Sequence, residues 1–153
     1  MITVRRLGAE DPFLDTAAQY AERIPWRAGQ SLARKIREGY FKDWESLFIL
    51  QDADRICGFL TVSAKDSIET VPFTPFIGYV FVEEGYRGQR LSQKMIACAE
   101  EYLASAGFRE AYIFSDHEGL YEKFGYIPAG EYTTKKNTVE TLFRKELDSP
   151  HRE

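Results

Sequence analysis

A chain of 153 residues, 44% hydrophobic and 29% charged, fits one globular domain with a buried core and excludes a disordered chain. Its net charge of -4, from 24 acidic and 20 basic residues, argues against a protein that lives by binding nucleic acid. No apolar run approaches the ~20 residues of a membrane span, and the N-terminal Met1-Ile2-Thr3-Val4-Arg5-Arg6 has no signal-peptide core.

Residues 1–147 are expected to form a single domain, with 148–153 a polar tail. Cys57 and Cys98 sit among apolar neighbours and read as buried free thiols, which makes a reducing cytoplasm the default location. They have no metal spacing, and His117 and His151 offer no metal site with them.

In chain order, Ile2 to Leu7 alternates weakly and reads as a short edge strand. Asp11-Pro12 is a helix start, with Pro at the first helical position, and Pro25 ends that helix near Arg23. Ser31 to Trp44 reads as a second helix, with Leu32, Ile36, Tyr40 and Phe41 near one face. Three strands follow: Leu47–Leu50, Ile56–Ser63 and the strongly apolar Phe76–Val82. The first connection is too short for a crossover, so the start of the sheet is antiparallel.

The longest helix is expected over Gln89–Ala106, with Leu91, Met95, Ala99, Tyr102 and Leu103 at helical spacing and Gly107 stopping it. Glu110–Ser115 should then lie parallel to Phe76–Val82, completing a right-handed crossover. A short helix near Glu118–Phe124 ends at Gly125, and strands near Tyr126–Tyr132 and Val139–Glu146 close the chain. The fold class is a mixed α/β sheet, antiparallel at first, with one parallel crossover.

The stretch Val80-Phe81-Val82-Glu83-Glu84-Gly85-Tyr86-Arg87-Gly88-Gln89-Arg90-Leu91-Ser92 joins an apolar strand to a helix. A helix N-terminus offers unpaired N–H groups and partial positive charge, and so attracts anions. Gly88 allows close backbone approach, Arg87 and Arg90 suit phosphate oxygens, and Ser92 adds a hydroxyl. The residues alone leave two readings, an anion site or an ordinary turn with solvated arginines. Neither the Walker nor the dinucleotide glycine pattern is present.

A second segment, Gly119-Leu120-Tyr121-Glu122-Lys123-Phe124-Gly125-Tyr126, follows the strand Tyr112-Ile113-Phe114-Ser115. With the loop, it resembles the GNAT superfamily of acyl-CoA N-acyltransferases over about Phe76 to Tyr126. That family carries [Q/R]-x-x-G-x-[G/A] after an apolar strand, and a segment like LYEKxGF downstream. Arg87 matches the first loop position. Arg90 stands where the family usually has Gly, and Ser92 where it has Gly or Ala.

The resemblance implies a splayed central sheet and transfer of an acetyl group from acetyl-CoA to a primary amine of a small-molecule, aminoacyl or peptide acceptor. It assigns Arg87, Gly88, Gln89, Arg90, Leu91 and Ser92 to the cofactor diphosphate, and Val80 and Val82 to backbone contacts with pantetheine and the thioester. Tyr121 is the implied proton donor to the leaving thiolate, and Lys123 is a candidate phosphate contact against the alternative of a surface lysine. No metal is implied.

The strand before the loop has no carboxylate, so the general base stays unassigned, with Glu83 and Glu84 read as solvated. His117 is a candidate base or a packing residue beside Asp116, and Asp116 is a candidate N-cap. The implied acceptor pocket draws on Pro25-Trp26-Arg27, Tyr40, Trp44 and Tyr132 to Lys136, with the loop from Asp66 to Pro75 flanking its mouth. Relatives are often dimers, which implies a homodimer with the C-terminal strand as the pairing edge. The competing reading is a non-catalytic acyl-CoA-binding sensor.

Overall fold

A computed structural model describes residues 1–66, 68 and 70–148. The expected tail at 149–153 lies outside the described residues. Among the described residues, seven strands, β1 (Ile2–Leu7), β2 (Ser46–Asp52), β3 (Arg55–Ser63), β4 (Phe76–Val82), β5 (Glu110–Ser115), β6 (Ile127–Thr133) and β7 (Val139–Glu146), form one sheet ordered β1-β2-β3-β4-β5-β7-β6. Every pairing is antiparallel except β4 with β5. The mixed sheet with one parallel crossover is the fold expected from the sequence. One detail differs: the C-terminal strand β7 is interior, between β5 and β6, so it offers no free pairing edge.

Two helices, α1 (Leu14–Arg23) and α2 (Arg27–Arg37), cover one face of the sheet. The third, α3 (Leu91–Ser105), covers the other. β2 serves both faces, which is why its run is apolar throughout. Leu47 and Ile49 pack toward α1 and α2, while Phe48 and Leu50 join the cluster under α3. On α3 the buried residues Leu91, Met95, Ala99 and Leu103 meet Leu60, Val62, Ile77 and Ile113. Apart from Ala99, each such side chain, fully buried, contributes roughly 1.5–3 kcal/mol by area.

The helix boundaries shift from expectation for local reasons. Asp11 Oδ1 accepts the Phe13 N–H at 2.9 Å, so Asp11-Pro12 forms a turn and α1 begins two residues later, at Leu14. The second helix spans Arg27–Arg37 rather than Ser31–Trp44. It stops because Gly39 enters the left-handed region at φ 71° and Tyr40 N–H bonds back to the Lys35 carbonyl at 3.0 Å. α3 begins at Leu91 because Arg90 is left-handed, at φ 59° and ψ 31°. The short helix near 118–124 is one 3-10 turn, Tyr121–Phe124, closed by Gly125 at φ 95°.

Candidate active site

The site begins where β4 and β5 part. They share one register pair, Phe76 with Tyr112, beside a hydrogen bond from Tyr112 N–H to the Pro75 carbonyl at 3.0 Å. Beyond it the strands splay. On its other edge β4 is bulged: Thr61 of β3 pairs with Gly78, and Phe59 with Phe81, leaving Leu60 opposite Tyr79 and Val80. Tyr79 takes φ 52°, a conformation that costs a non-glycine residue about 1–3 kcal/mol and clusters at functional sites. Neither Tyr79 nor Val80 has a ladder partner on β3 or β5.

A cleft of about 690 Å³ fills the gap. Its floor is Ile77, Gly78, Tyr79 and Val80 from β4, with Ile113, Phe114 and Ser115 from β5. One wall comes from Trp26, Arg27, Ser31 and Lys35, and the opposite wall from Thr134, Lys135, Lys136, Thr138 and Glu140. Asp66, Asp116, His117 and Tyr121 complete it.

Tyr121 is 6% exposed, its ring set against Phe124, Tyr126 and Phe143. Burial, with a smaller push from the Asp66 carboxylate, raises its phenol to about 12. The group is therefore protonated at neutral pH, as a proton donor must be. Lys35 lines the wall with its ammonium 4.8 Å from the Tyr40 ring centre and 5.2 Å from that of Tyr79. Burial pulls Lys35 down, but Tyr79, Tyr40 and Asp66 outweigh it and hold it above the ordinary lysine value. Tyr79 is itself fixed by a 3.1 Å hydrogen bond between its hydroxyl and Ser31 Oγ, and by the edge of Trp26.

The candidate anion loop follows β4 directly. Its root is tied down by an anchored chain of polar groups. Tyr86 donates to Asp52 at 2.7 Å, Arg55 donates to Tyr86 at 3.2 Å and to Glu83 at 2.7 Å, and Tyr20 donates to Glu83 at 2.7 Å. Glu83 is thus an engaged structural carboxylate, not the solvated charge expected, whereas Glu84 is exposed.

Arg87, Gly88, Gln89 and Arg90 are exposed, and Gly88 has φ 88° with open space where a side chain would stand. The first intrahelical bond of α3 runs from Lys94 N–H to the Arg90 carbonyl, which leaves the N–H groups of the first turn, including Leu91 and Ser92, aimed outward. Leu91 itself packs into the core. The left-handed conformation of Arg90 accounts for a glycine preference at that position, since only glycine adopts it without penalty. Arg87 Nε donates to the Val82 carbonyl at 2.8 Å, so that carbonyl is already occupied.

Of the residues singled out in the sequence, Val80 and Tyr121 meet in the cleft. Val82 and the loop 86–92 lie at the end of the same strand, and Lys123 is exposed on the 3-10 turn. Of the residues read as an acceptor side, Trp26, Arg27, Thr134, Lys135 and Lys136 line the cleft, whereas Pro25, Tyr40, Tyr132, Thr133 and Trp44 do not; Trp44 packs on Phe108, with ring centres 4.7 Å apart. His117 and Tyr121 share the cleft but no helix face, because the turn starts only at Tyr121. Asp116 does not cap it; the Gly119 N–H is instead taken by Glu122 at 3.0 Å.

Sequence reasoning missed Asp66 as a site residue. It stands in the loop noted only as flanking the mouth. The signal that could have found it is Gly78, a glycine inside an otherwise bulky apolar strand, which marks a close approach. Cys57 is a free thiol buried in the core, as expected, whereas Cys98, also free, is only half-buried beside it. Among the described residues no group of three or more His, Cys, Asp or Glu is placed to hold a metal. Nor is any helix long and apolar enough to cross a membrane.

Comparison with known proteins agrees with this geometry. Residues 43–128 match the family model for the acetyltransferase (GNAT) domain. No curated protein sequence matches the chain. Among solved structures, aminoglycoside 6'-N-acetyltransferase complexed with coenzyme A superposes with TM-score 0.74 at 17% identity, covering 99% of both chains. Aminoglycoside 6'-acetyltransferase type Ii gives 0.73 at 20% identity, over 94% of this chain and 96% of that one. The ribosomal-protein-S18-alanine N-acetyltransferase from Escherichia coli gives 0.64 at 17% identity, over 100% and 97%. The family model spans more than half of the sequence, including both the strand-loop-helix segment and the turn that carries Tyr121, and the chain belongs to the GNAT acetyltransferases.

Proposed function

We propose that the protein moves an acetyl group from acetyl-CoA to a primary amine of a small-molecule, aminoacyl or peptide acceptor, by direct attack within the cleft between β4 and β5. The observation that carries this reading is the opening of that strand pair directly beside Tyr121. An extended pantetheine arm can enter such a gap as a strand would, using backbone groups that have no partner there. Val80, in the bulge and without a ladder partner, is suited to polarise the thioester carbonyl through its N–H.

The diphosphate would lie on the first turn of α3, where outward N–H groups from the Arg90-Leu91-Ser92 segment, the open Gly88 and the exposed Arg87 and Arg90 converge on an anion. Lys123 is a further candidate for a phosphate. In the reaction the amine nitrogen forms a bond to the acetyl carbon, and the carbon–sulfur bond breaks. Tyr121, still protonated well above neutral pH, gives its proton to the departing thiolate.

Relatives of this fold act on an aminoglycoside in one case and a ribosomal-protein alanine in another, so the fold alone does not choose the acceptor. The walls here mix Arg27, Lys35, Lys135 and Lys136 with Asp66, Asp116 and Glu140.

Two measurements test the reading. Acetyl-CoA at about 100 times its Kd should stabilise the protein by roughly 2.7 kcal/mol in a thermal-shift experiment. A panel of amines followed by free-thiol release should then find turnover. No shift at millimolar acetyl-CoA overturns the proposal. A shift without thiol release across the panel favours an acyl-CoA sensor instead.

A further inference from the structure

We propose that Asp66 is the catalytic carboxylate that receives the acceptor's ammonium and takes its proton, and that Gly78 is the positioning residue that admits it to the floor of the cleft. This rests on the acetyltransferase reading above. An amine must lose a proton before it can attack, and β4 carries no carboxylate of its own. The chain supplies one from the neighbouring loop.

The segment leading into Asp66 is held in place from several sides. The Lys65 carbonyl just before it accepts from Ser63 Oγ at 2.7 Å and from the Tyr40 hydroxyl at 3.3 Å. Ala64 N–H donates to Glu45 at 2.7 Å, and Lys65 Nζ donates to the Val71 carbonyl at 2.8 Å. From that segment the carboxylate lies across buried Gly78. A Cβ at residue 78 would stand 2.8 Å from Oδ2, 3.3 Å from Cγ and 3.4 Å from Oδ1. The glycine is not needed for backbone conformation, since Gly78 is outside the left-handed region; it is needed for space.

Asp66 and Tyr121 open onto the same cleft, and the carboxylate is close enough for its field to act on the phenol. Among the described residues, the two other carboxylates that line the cleft are placed differently. Asp116 is exposed beyond the end of β5, and Glu140 belongs to the far wall on β7. Lys35 from α2 and Tyr40 also face Asp66, and Lys35 leaves it in a mixed rather than a purely acidic setting.

The proton balance closes. The bound ammonium gives one proton to Asp66, which passes it to water. The neutral nitrogen attacks the acetyl carbon, and the resulting nitrogen cation gives up a second proton. The carbon–sulfur bond breaks, the thiolate takes the Tyr121 proton, and the second nitrogen proton restores the phenol through solvent.

The test uses the full chain, acetyl-CoA and two probe acceptors at pH 7: benzylamine, which is an ammonium there, and benzoic hydrazide, which is neutral. Asp66→Asn should lower kcat/KM for benzylamine about a hundredfold. The hydrazide should lose less than threefold, because it needs no base before attack. The thermal shift with acetyl-CoA should be unchanged. Equal losses on both acceptors, or no loss on either, overturn the assignment. So does a wild-type protein that binds acetyl-CoA but acetylates the hydrazide and not benzylamine, or neither. A wild type that does not bind acetyl-CoA overturns the acetyltransferase reading itself.

Discussion

The Asp66 carboxylate occupies the space that a side chain on Gly78 would fill, its Oδ2 lying 2.8 Å from the position of the missing Cβ. A loop residue and a strand residue twelve positions apart are thus fitted to one another, and neither can change size alone. Gly78→Ala should push the carboxylate aside and cost about 1–3 kcal/mol of stability through overpacking. Activity toward amines should fall at least tenfold while acetyl-CoA binding stays within twofold. Denaturant melts with steady-state kinetics check both halves, and full activity in this variant would show that the carboxylate need not lie there.

Tyr121→Phe keeps the ring contacts with Phe124, Tyr126 and Phe143 and removes only the hydroxyl. The expected result is a fall in kcat of about a hundredfold with little change in acetyl-CoA affinity. Stability should be nearly unaltered. A kcat equal to wild type, with chemistry rate-limiting, retires the proton-donor role.

The same phenol makes stability sensitive to alkali. Its value of about 12 in the folded protein lies above the ordinary tyrosine value, so the fold favours the protonated form. Below pH ~10 both states are protonated and this contribution is complete; as pH rises toward the folded value the unfolded chain ionises first and stability falls, by on the order of 2–3 kcal/mol for this group. Tyr20 and Tyr126 are shifted the same way by burial and by their bonds to Glu83 and Glu100. Urea midpoints between pH 8 and pH ~11.5 should decline, and Tyr121→Phe should flatten part of the slope.

Arg90 presents the opposite trade. Its left-handed backbone costs an L-residue roughly 1–2 kcal/mol that glycine does not pay, part of which is lost again to the freer unfolded chain. Arg90→Gly should therefore raise stability by about 0.5–1 kcal/mol, or a Tm gain of roughly 1–4 °C. If the guanidinium reaches the diphosphate, KM for acetyl-CoA should rise in the same variant. A variant that is more stable and binds acetyl-CoA equally well would leave the backbone amides as the whole anion site.

Much of this site was legible from local pattern. The strand Phe76–Val82, the strand Glu110–Ser115 and the crossover between them could be read because apolar runs bounded by turn residues are properties of neighbours in sequence. Glycines at 88, 107 and 125 marked turns that their positive φ angles bear out. What stayed hidden depends on contacts across the fold. The end of α2 is set by Gly39, whereas apolar Tyr40 and Phe41 continued the pattern past it. The engagement of Glu83 depends on Tyr20 and Arg55, 63 and 28 residues away. The pairing of Asp66 with Gly78 is an approach of two segments that neither sequence window contains.

The two walls of the cleft have a consequence for how such a protein changes over time. Residues 26–35 and 134–140 supply two walls of the cleft, and both stretches lie outside the 43–128 segment that matches the family model. Apart from Asp66, the parts that would handle the thioester and the walls that would greet the amine are therefore separate stretches of chain, brought together by the sheet. On the function proposed above, substitutions in either wall would retune which amine is welcomed without touching Val80, Tyr121 or the turn into α3. A lineage built this way can acquire new acceptors by drift at its two ends while its centre holds the chemistry constant.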